Sequence, residues 1–315
     1  MDSPLARVIL AVFGGYLIIL IGLAVFGWIE EEYPQPSAEP PSTVRIQHPF
    51  YHEQAVNALQ RFARLSEQER NSIKKRLKSG LISMEQWLAR LDQSDCRVLC
   101  LGELHEESTR IFLAEEFFAK IHIDILMLEA TPKALTRLTK RMNAGRTYFP
   151  LLDADIMEIL RTVRAKNPNA RICGIEETDE QQKELRLHSG SRDQSIARNF
   201  WHRYRSGARH VILFGALHCT NEPNWLFGHL YAQASLPLKN RMINARVLEE
   251  HQNGPVEAFV FFLDEIGIEK TSFVIPDTRA LAACIDGWFP SLHRQILQKY
   301  RSLIVFRISS KNRAS

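Results

Sequence analysis

Two octapeptides in this chain share one form: Val98-Leu-Cys-Leu-Gly-Glu-Leu-His105 and Val211-Ile-Leu-Phe-Gly-Ala-Leu-His218. Each sets an imidazole three residues past a glycine, at the end of an apolar run of strand type. With 15 Gly and 11 His in 315 residues, chance supplies roughly half a Gly-x-x-His match, so the context decides. In that context Gly102 and Gly215 are turn residues, permitting a sharp exit that leaves each histidine at the carboxyl end of a strand. Two more apolar runs, 124–129 and 171–176, end in Glu129 and Glu176, so carboxylates join Glu103 at the same edge. Neutral imidazole beside carboxylate suits two chemistries. In one, Glu103 and Glu129 assist His105 or His218 as it activates water for hydrolysis. In the other, His105, His218 and Glu129 hold a divalent metal with one position open. Arg192 is a candidate anion clamp at a helix start, where Asp193 reads as a cap. Arg110, one or two turns into the helical pattern after His105, can point back to this edge and bind substrate with Arg192 and Glu176. His188, His202, His210, His229 and His251 read as surface or packing residues away from strand ends. No Ser or Cys sits in an elbow motif, which argues against a serine-hydrolase mechanism.

The elements that position these groups follow from periodicity. Apolar runs 97–101, 124–129, 171–176 and 209–214 alternate with helical patterns 107–121, 131–143, 153–166 and 192–205. Short apolar strands alternating with amphipathic helices predict βαβ units, an α/β fold with a parallel-sheet core and helices on both faces. A helical lead-in spans 48–92, where Ser66 with Glu69 and Ser83 with Gln86 have the form of capping boxes. Past His218 the pattern predicts a helix at 225–234, strands at 245–251 and 256–263, a helix at 278–286 and a strand at 303–308.

Composition bounds the rest. Forty Lys and Arg against 36 Asp and Glu give a formal charge of +4, with 45% apolar residues. Such a balance excludes a disordered chain and gives no bulk electrostatic case for a nucleic-acid partner. Five cysteines scattered through the chain are not a disulfide framework, and read as buried thiols. Val8–Ile29 carries no charge over a length that crosses a bilayer core, so residues 1–29 read as an uncleaved signal-anchor transmembrane helix. Arg7 before it and Glu30, Glu31 and Glu32 after it place the main domain outside the membrane, in the periplasm if the source is bacterial. Residues 30–43, rich in Pro and Glu, form a linker, and 44–315 the α/β domain.

Four short motifs carry a resemblance: Gly102-Glu103-Leu104-His105, Glu129-Ala130, Arg192-Asp193 with Ile196-Ala197, and Gly215-Ala216-Leu217-His218. Together they resemble the erythromycin-esterase/ChaN-like superfamily, which also contains the Tiki and TraB proteins. The resemblance covers residues 96–220. It implies that both histidines and Glu129 line the active cleft. Esterase-like members activate water without a required metal, Tiki-like members are metal-dependent proteases, and ChaN-like members bind haem. Three functions follow as expectations: a hydrolase acting on an ester or peptide bond, a non-covalent haem- or iron-binding protein, and a non-catalytic scaffold. The cofactor is accordingly none, a divalent metal ion or haem, and the ligand a small molecule or peptide. Ala216 departs from the pattern, lacking a polar side chain.

Overall fold

In the computed structural model the apolar runs assemble into one seven-stranded sheet. The structure describes residue 46 and residues 48–143, 154–188, 190–251, 254–268, 272–285 and 287–307. Three helices lead in, α1 (Pro49–Ala63), α2 (Glu67–Gly80) and α3 (Met84–Gln93). The capping boxes Ser66/Glu69 and Ser83/Gln86 both form, satisfying the first amide groups of α2 and α3. Next come β1 (Val98–Glu103), α4 (Glu107–Phe112) continuing into a π turn at Leu113–Phe118, β2 (Ile125–Leu128), α5 (Pro132–Asn143) and α6 (Ala154–Lys166). Then follow β3 (Arg171–Gly174), α7 (Asp179–His188), α8 (Arg192–Arg203), β4 (His210–Gly215) and a 3-10 turn at Ala216–Cys219. The chain goes on through α9 (Leu226–Gln233), α10 (Leu236–Lys239), β5 (Met242–Glu249), α11 (Gly254–Glu265) and β6 (Ser272–Ile275). It ends in α12 (Thr278–Cys284), α13 (Pro290–Leu292) with a π turn at His293–Leu297, and β7 (Ser302–Phe306).

The strand order is β3-β2-β4-β1-β5-β7-β6, parallel throughout except for β6 against β7. Every residue of β1, β4 and β5 is buried, which is why β1 and β4 read as apolar runs without alternation, while β5 buries Asn244, Arg246 and Glu249 among its apolar residues. On one face Phe200, Phe214, Leu230 and Phe259 join the sheet to α8, α9 and α11. On the other, Trp87, Phe117, Leu160 and Val163 join it to α3, the first π turn and α6. Burial of each such side chain stabilises by about 1.5–3 kcal/mol. The chain leaves β1 and β2 over the second face and β4 over the first. Between such divergent exits an open parallel sheet forms its crevice. At the far edge Ile82 bridges Val274 of β6 through two backbone hydrogen bonds, so the lead-in covers the outermost strand.

Several expectations are corrected here. Residues 256–263 are not a strand but the middle of α11. Pro255–Phe261 and Phe262–Leu263 are nearly all buried, so α11 has no polar stripe to reveal a helical period. The antiparallel β6, Ser-Phe-Val-Ile, is a strand the periodicity did not assign. Among the described residues no helix is long and apolar enough to cross a membrane. Even the apolar α11, with 12 residues, rises only about 18 Å against a hydrocarbon core of about 30 Å. The single-pass membrane assignment and the extracytoplasmic placement that rested on it are therefore set aside. The segment 1–29 and the linker 30–43 lie outside the described residues.

The cysteines also differ from expectation: Cys100 of β1 and Cys219 of the 3-10 turn form a disulfide, while Cys96, Cys173 and Cys284 are free thiols. Spacing along the chain gave no hint of this pair, because the turn after β4 folds back over β1. Finally, His210 begins β4 and is fully buried, and His251 lies just past the end of β5, so neither is remote from a strand end.

Candidate active site

The register sets the strand ends level, pairing Glu103 with Gly215, and Leu128 with both Leu213 and Gly174. Side chains just beyond these pairs therefore meet. The structure brings together Glu103, His105, Arg110, Glu129, Glu176, Arg192 and His218, around a cleft of about 780 Å³. His105, Glu129, Glu176, Arg192, Glu103 and Arg110 line that cleft.

His105 stands on the cleft wall, its side chain 45% exposed. Its backbone is left-handed, φ 58°, at a cost of about 1 kcal/mol for an L-residue. The reversal turns the ring back over the strand it follows. Nδ1 lies 3.1 Å from Glu103 Oε1, and Nε2 lies 3.3 Å from Glu129 Oε2. These two carboxylates, Glu103 first, raise its pKa to about 9, against the opposing effect of burial. Arg110 anchors Glu103 through Nε at 2.9 Å and also places Nη2 2.9 Å from His105 Nδ1. A guanidinium can only donate, so Arg110 favours an unprotonated Nδ1 while Glu103 favours a protonated one. The ring thus sits between two partners that pull its proton in opposite senses.

Glu129 is the hub. Burial alone would raise its carboxyl, but hydrogen bonds from His105, the Gly215 amide and Arg192 outweigh that and hold it at about 2. Arg192 gives its fork to Glu176, Nε to Oε1 at 2.9 Å and Nη2 to Oε2 at 2.5 Å, and reaches Glu129 Oε1 at 2.7 Å. Its Nη1 donates to His218 Nε2 at 3.0 Å. His218 in turn donates from Nδ1 to Asp193 Oδ1 at 2.7 Å. Those partners select one tautomer, proton on Nδ1 and lone pair on Nε2. At 10% side-chain exposure His218 stands behind Arg192, off the cleft wall.

Two sequence-level roles change. Asp193 is not the cap of α8; Ser191 is, in a capping box with Gln194. Asp193 is freed to orient His218 and to accept the Leu226 amide at 2.7 Å. The signal for it was its place beside Arg192, which the capping reading concealed. Gly102 lies within β1, and Gly215, just before the 3-10 turn, has φ −53°, a conformation open to any L-residue. They are required for close approach instead. A Cβ on Gly215 would lie 2.9 Å from His105 Nε2, and one on Gly102 would lie 3.0 Å from Ala216 Cα. A further group absent from the sequence reading is Arg246 of β5, paired with Gly102 and buried, its Nη1 without a hydrogen-bond partner.

As arranged, the donors do not fit a metal. Arg192 Nη1 brings a cation to His218 Nε2, where a metal would have to sit. Among the described residues no group of three or more His, Cys, Asp or Glu is placed to hold one. Haem ligation fits no better, since both nitrogens of both rings already face a carboxylate or a guanidinium.

No protein-family model matches the sequence, and a comparison with curated proteins found no match. Solved structures give distant likenesses. A Bacillus cereus protein aligns at 10% identity and TM-score 0.45, covering 75% of this chain and 97% of that one. A structure of bacterial protein toxins aligns at 17% identity and TM-score 0.34, covering 64% of this chain and 43% of that one. RRSP, a MARTX toxin effector domain from Vibrio vulnificus, aligns at 14% identity and TM-score 0.32, covering 64% and 46%. These likenesses carry no functional weight.

Proposed function

We propose that the chain is a metal-independent hydrolase in which His105 is the acid–base residue and Arg192 holds the oxyanion. The observation that carries this reading is His105 on the cleft wall between two carboxylates, its Nε2 3.3 Å from Glu129 Oε2. Once Nε2 loses its proton, the contact becomes acceptor against acceptor. A water donating one hydrogen to each group satisfies both, and that water is the nucleophile. As its oxygen attacks a carbonyl or phosphoryl centre, its proton passes to Nε2. Glu103 holds Nδ1–H and stabilises the resulting imidazolium. Negative charge on the attacked oxygen falls within reach of Arg192, which Glu129, Glu176 and His218 hold in place before substrate arrives. The proton then leaves Nε2 for the departing group, restoring the site. In this scheme His218 and Asp193 are positioning residues acting through Arg192.

The resemblance of the motifs to the erythromycin-esterase/ChaN-like superfamily points the same way, to its esterase-like members. The test is turnover of a panel of chromogenic carboxylic, phosphoric and amide esters by the purified chain and by its His105→Ala variant. We expect hydrolysis of one class, lowered by His105→Ala about 10²–10⁴-fold with circular dichroism unchanged. Turnover of none of the three classes, or full activity in the variant, would overturn the reading.

A further inference from the structure

A second cavity, about 610 Å³, lies at the opposite edge of the sheet, by the amino ends of β5 and β7. Its lining includes Tyr231, Lys239, Asn244, Arg279, Tyr300 and Arg301. Three cations converge there by backbone geometry. The Thr278 amide donates to Arg301 O at 3.0 Å, which sets Arg279 beside Arg301. Arg301 Nη1 lies 3.5 Å from Met242 O, three residues beyond Lys239. In the first cleft Arg110 and Arg192 each hold a carboxylate, as Arg209 and Arg307 do elsewhere. Among the described residues Lys239, Arg279 and Arg301 make no ion pair; Lys239 Nζ lies 5.2 Å from the Tyr231 ring centroid. The one acid on the lining, Asp277, is committed to capping α12 through the Arg279 and Ala280 amides. A concave site lined by unpaired like charges focuses its field on whatever enters. Such a field suits an anion with more than one charge.

One short segment, residues 216–221, links the two sites: His218 stands behind Arg192 of the first cleft, and Asn221 lines the second cavity. Two side chains of the second cavity hold this segment: Tyr300 Oη donates to Ala216 O at 2.7 Å, and Asn244 Nδ2 donates to Cys219 O at 2.8 Å. We propose that the second cavity binds a small polyanion of the pyrophosphate or polycarboxylate type, and that its occupancy is transmitted to His218 through residues 216–221. The proposal does not depend on the hydrolase reading.

Calorimetric titration of the full chain with pyrophosphate and with citrate tests the site. Saturable binding of either anion is expected, weakened more than about tenfold by the double change Lys239→Ala with Arg279→Ala, and unchanged by Arg192→Ala. Three results would overturn it: no saturable binding of either anion, an affinity indifferent to the double change, or a loss in Arg192→Ala alone, which would move the anion to the first cleft. The coupling is read from the imidazole resonance of His218 in histidine-labelled protein. It should shift as pyrophosphate binds and shift less in Tyr300→Phe; a resonance that never moves rules the coupling out.

Discussion

His105 and Glu129 are displaced from their ordinary titration ranges in opposite directions, and their signs set a pH window. His105 is raised from 6.5 to about 9, so its pairing stabilises the fold fully below about 6.5 and is lost as pH rises through about 9. Glu129 is lowered from 4.5 to about 2, so its contribution is full above about 4.5 and is lost as pH falls through about 2. The pair therefore contributes most between those two ordinary values. The proposed hydrolysis, which needs an unprotonated Nε2, should run the other way, with kcat/KM climbing toward a plateau above about pH 9. Melting curves of the wild type and His105→Gln should differ most near pH 6 and converge at alkaline pH; a difference constant with pH would refute the pairing. Gly215→Ala tests the close approach at the same ring. The new methyl meets the end of a side chain rather than backbone, so the stability cost should be small. The displaced ring should nonetheless lose about a hundredfold in kcat/KM. Wild-type kinetics in that variant would show that Nε2 is not used. Asp193→Ala removes the acceptor of both His218 Nδ1–H and the Leu226 amide. Urea unfolding should register a loss of about 1–3 kcal/mol.

At the level of elements, the strands that carry the site were legible because β1, β2 and β4 are buried on both faces and read as apolar runs ending in Gly-x-x-His or Glu, and the half-buried β3 reads the same way. The helices at 107–121, 131–143, 153–166 and 192–205 were legible from their apolar stripes, whereas α7 (Asp179–His188), polar but for two leucines, was not foreseen. The same logic explains what was missed. The Val256–Leu263 stretch hides its helical period because α11 is covered nearly all round. Asp193 follows a serine that already caps its helix, so its type suggested a task that Ser191 performs. The glycines were legible as positions but not as reasons, because close approach between β1 and the 216–219 turn is a tertiary fact. So is the Cys100–Cys219 bond, which ties that turn to β1 across a separation of 119 residues. Long loop closure makes such a link worth about 2–4 kcal/mol. Cys100→Ala with Cys219→Ala should lower the denaturant midpoint accordingly, and reductant should then have no further effect on that variant. Equal midpoints for wild type and variant under oxidising conditions would count against the bond.

Over the whole molecule, an open sheet has two edges, and this one treats them differently. The β3 edge is short, four residues beginning with the exposed Arg171, a charge that discourages another strand from pairing there. The β6 edge, Ser-Phe-Val-Ile, is apolar and almost fully buried, and what shields it is the chain between α2 and α3, through Ile82. The lead-in helices thus act as a guard against association between copies of the chain. A protein lacking residues 48–93 would present the Val274 amide and carbonyl to its neighbours, and light scattering should show concentration-dependent assemblies with increased intermolecular β signal in the infrared. A monomeric truncation would mean the edge is protected by something other than this bridge. By the same reasoning, Ile82→Pro, which deletes the amide that Val274 accepts and leaves the rest of the lead-in in the chain, should promote self-association before it measurably lowers the unfolding temperature.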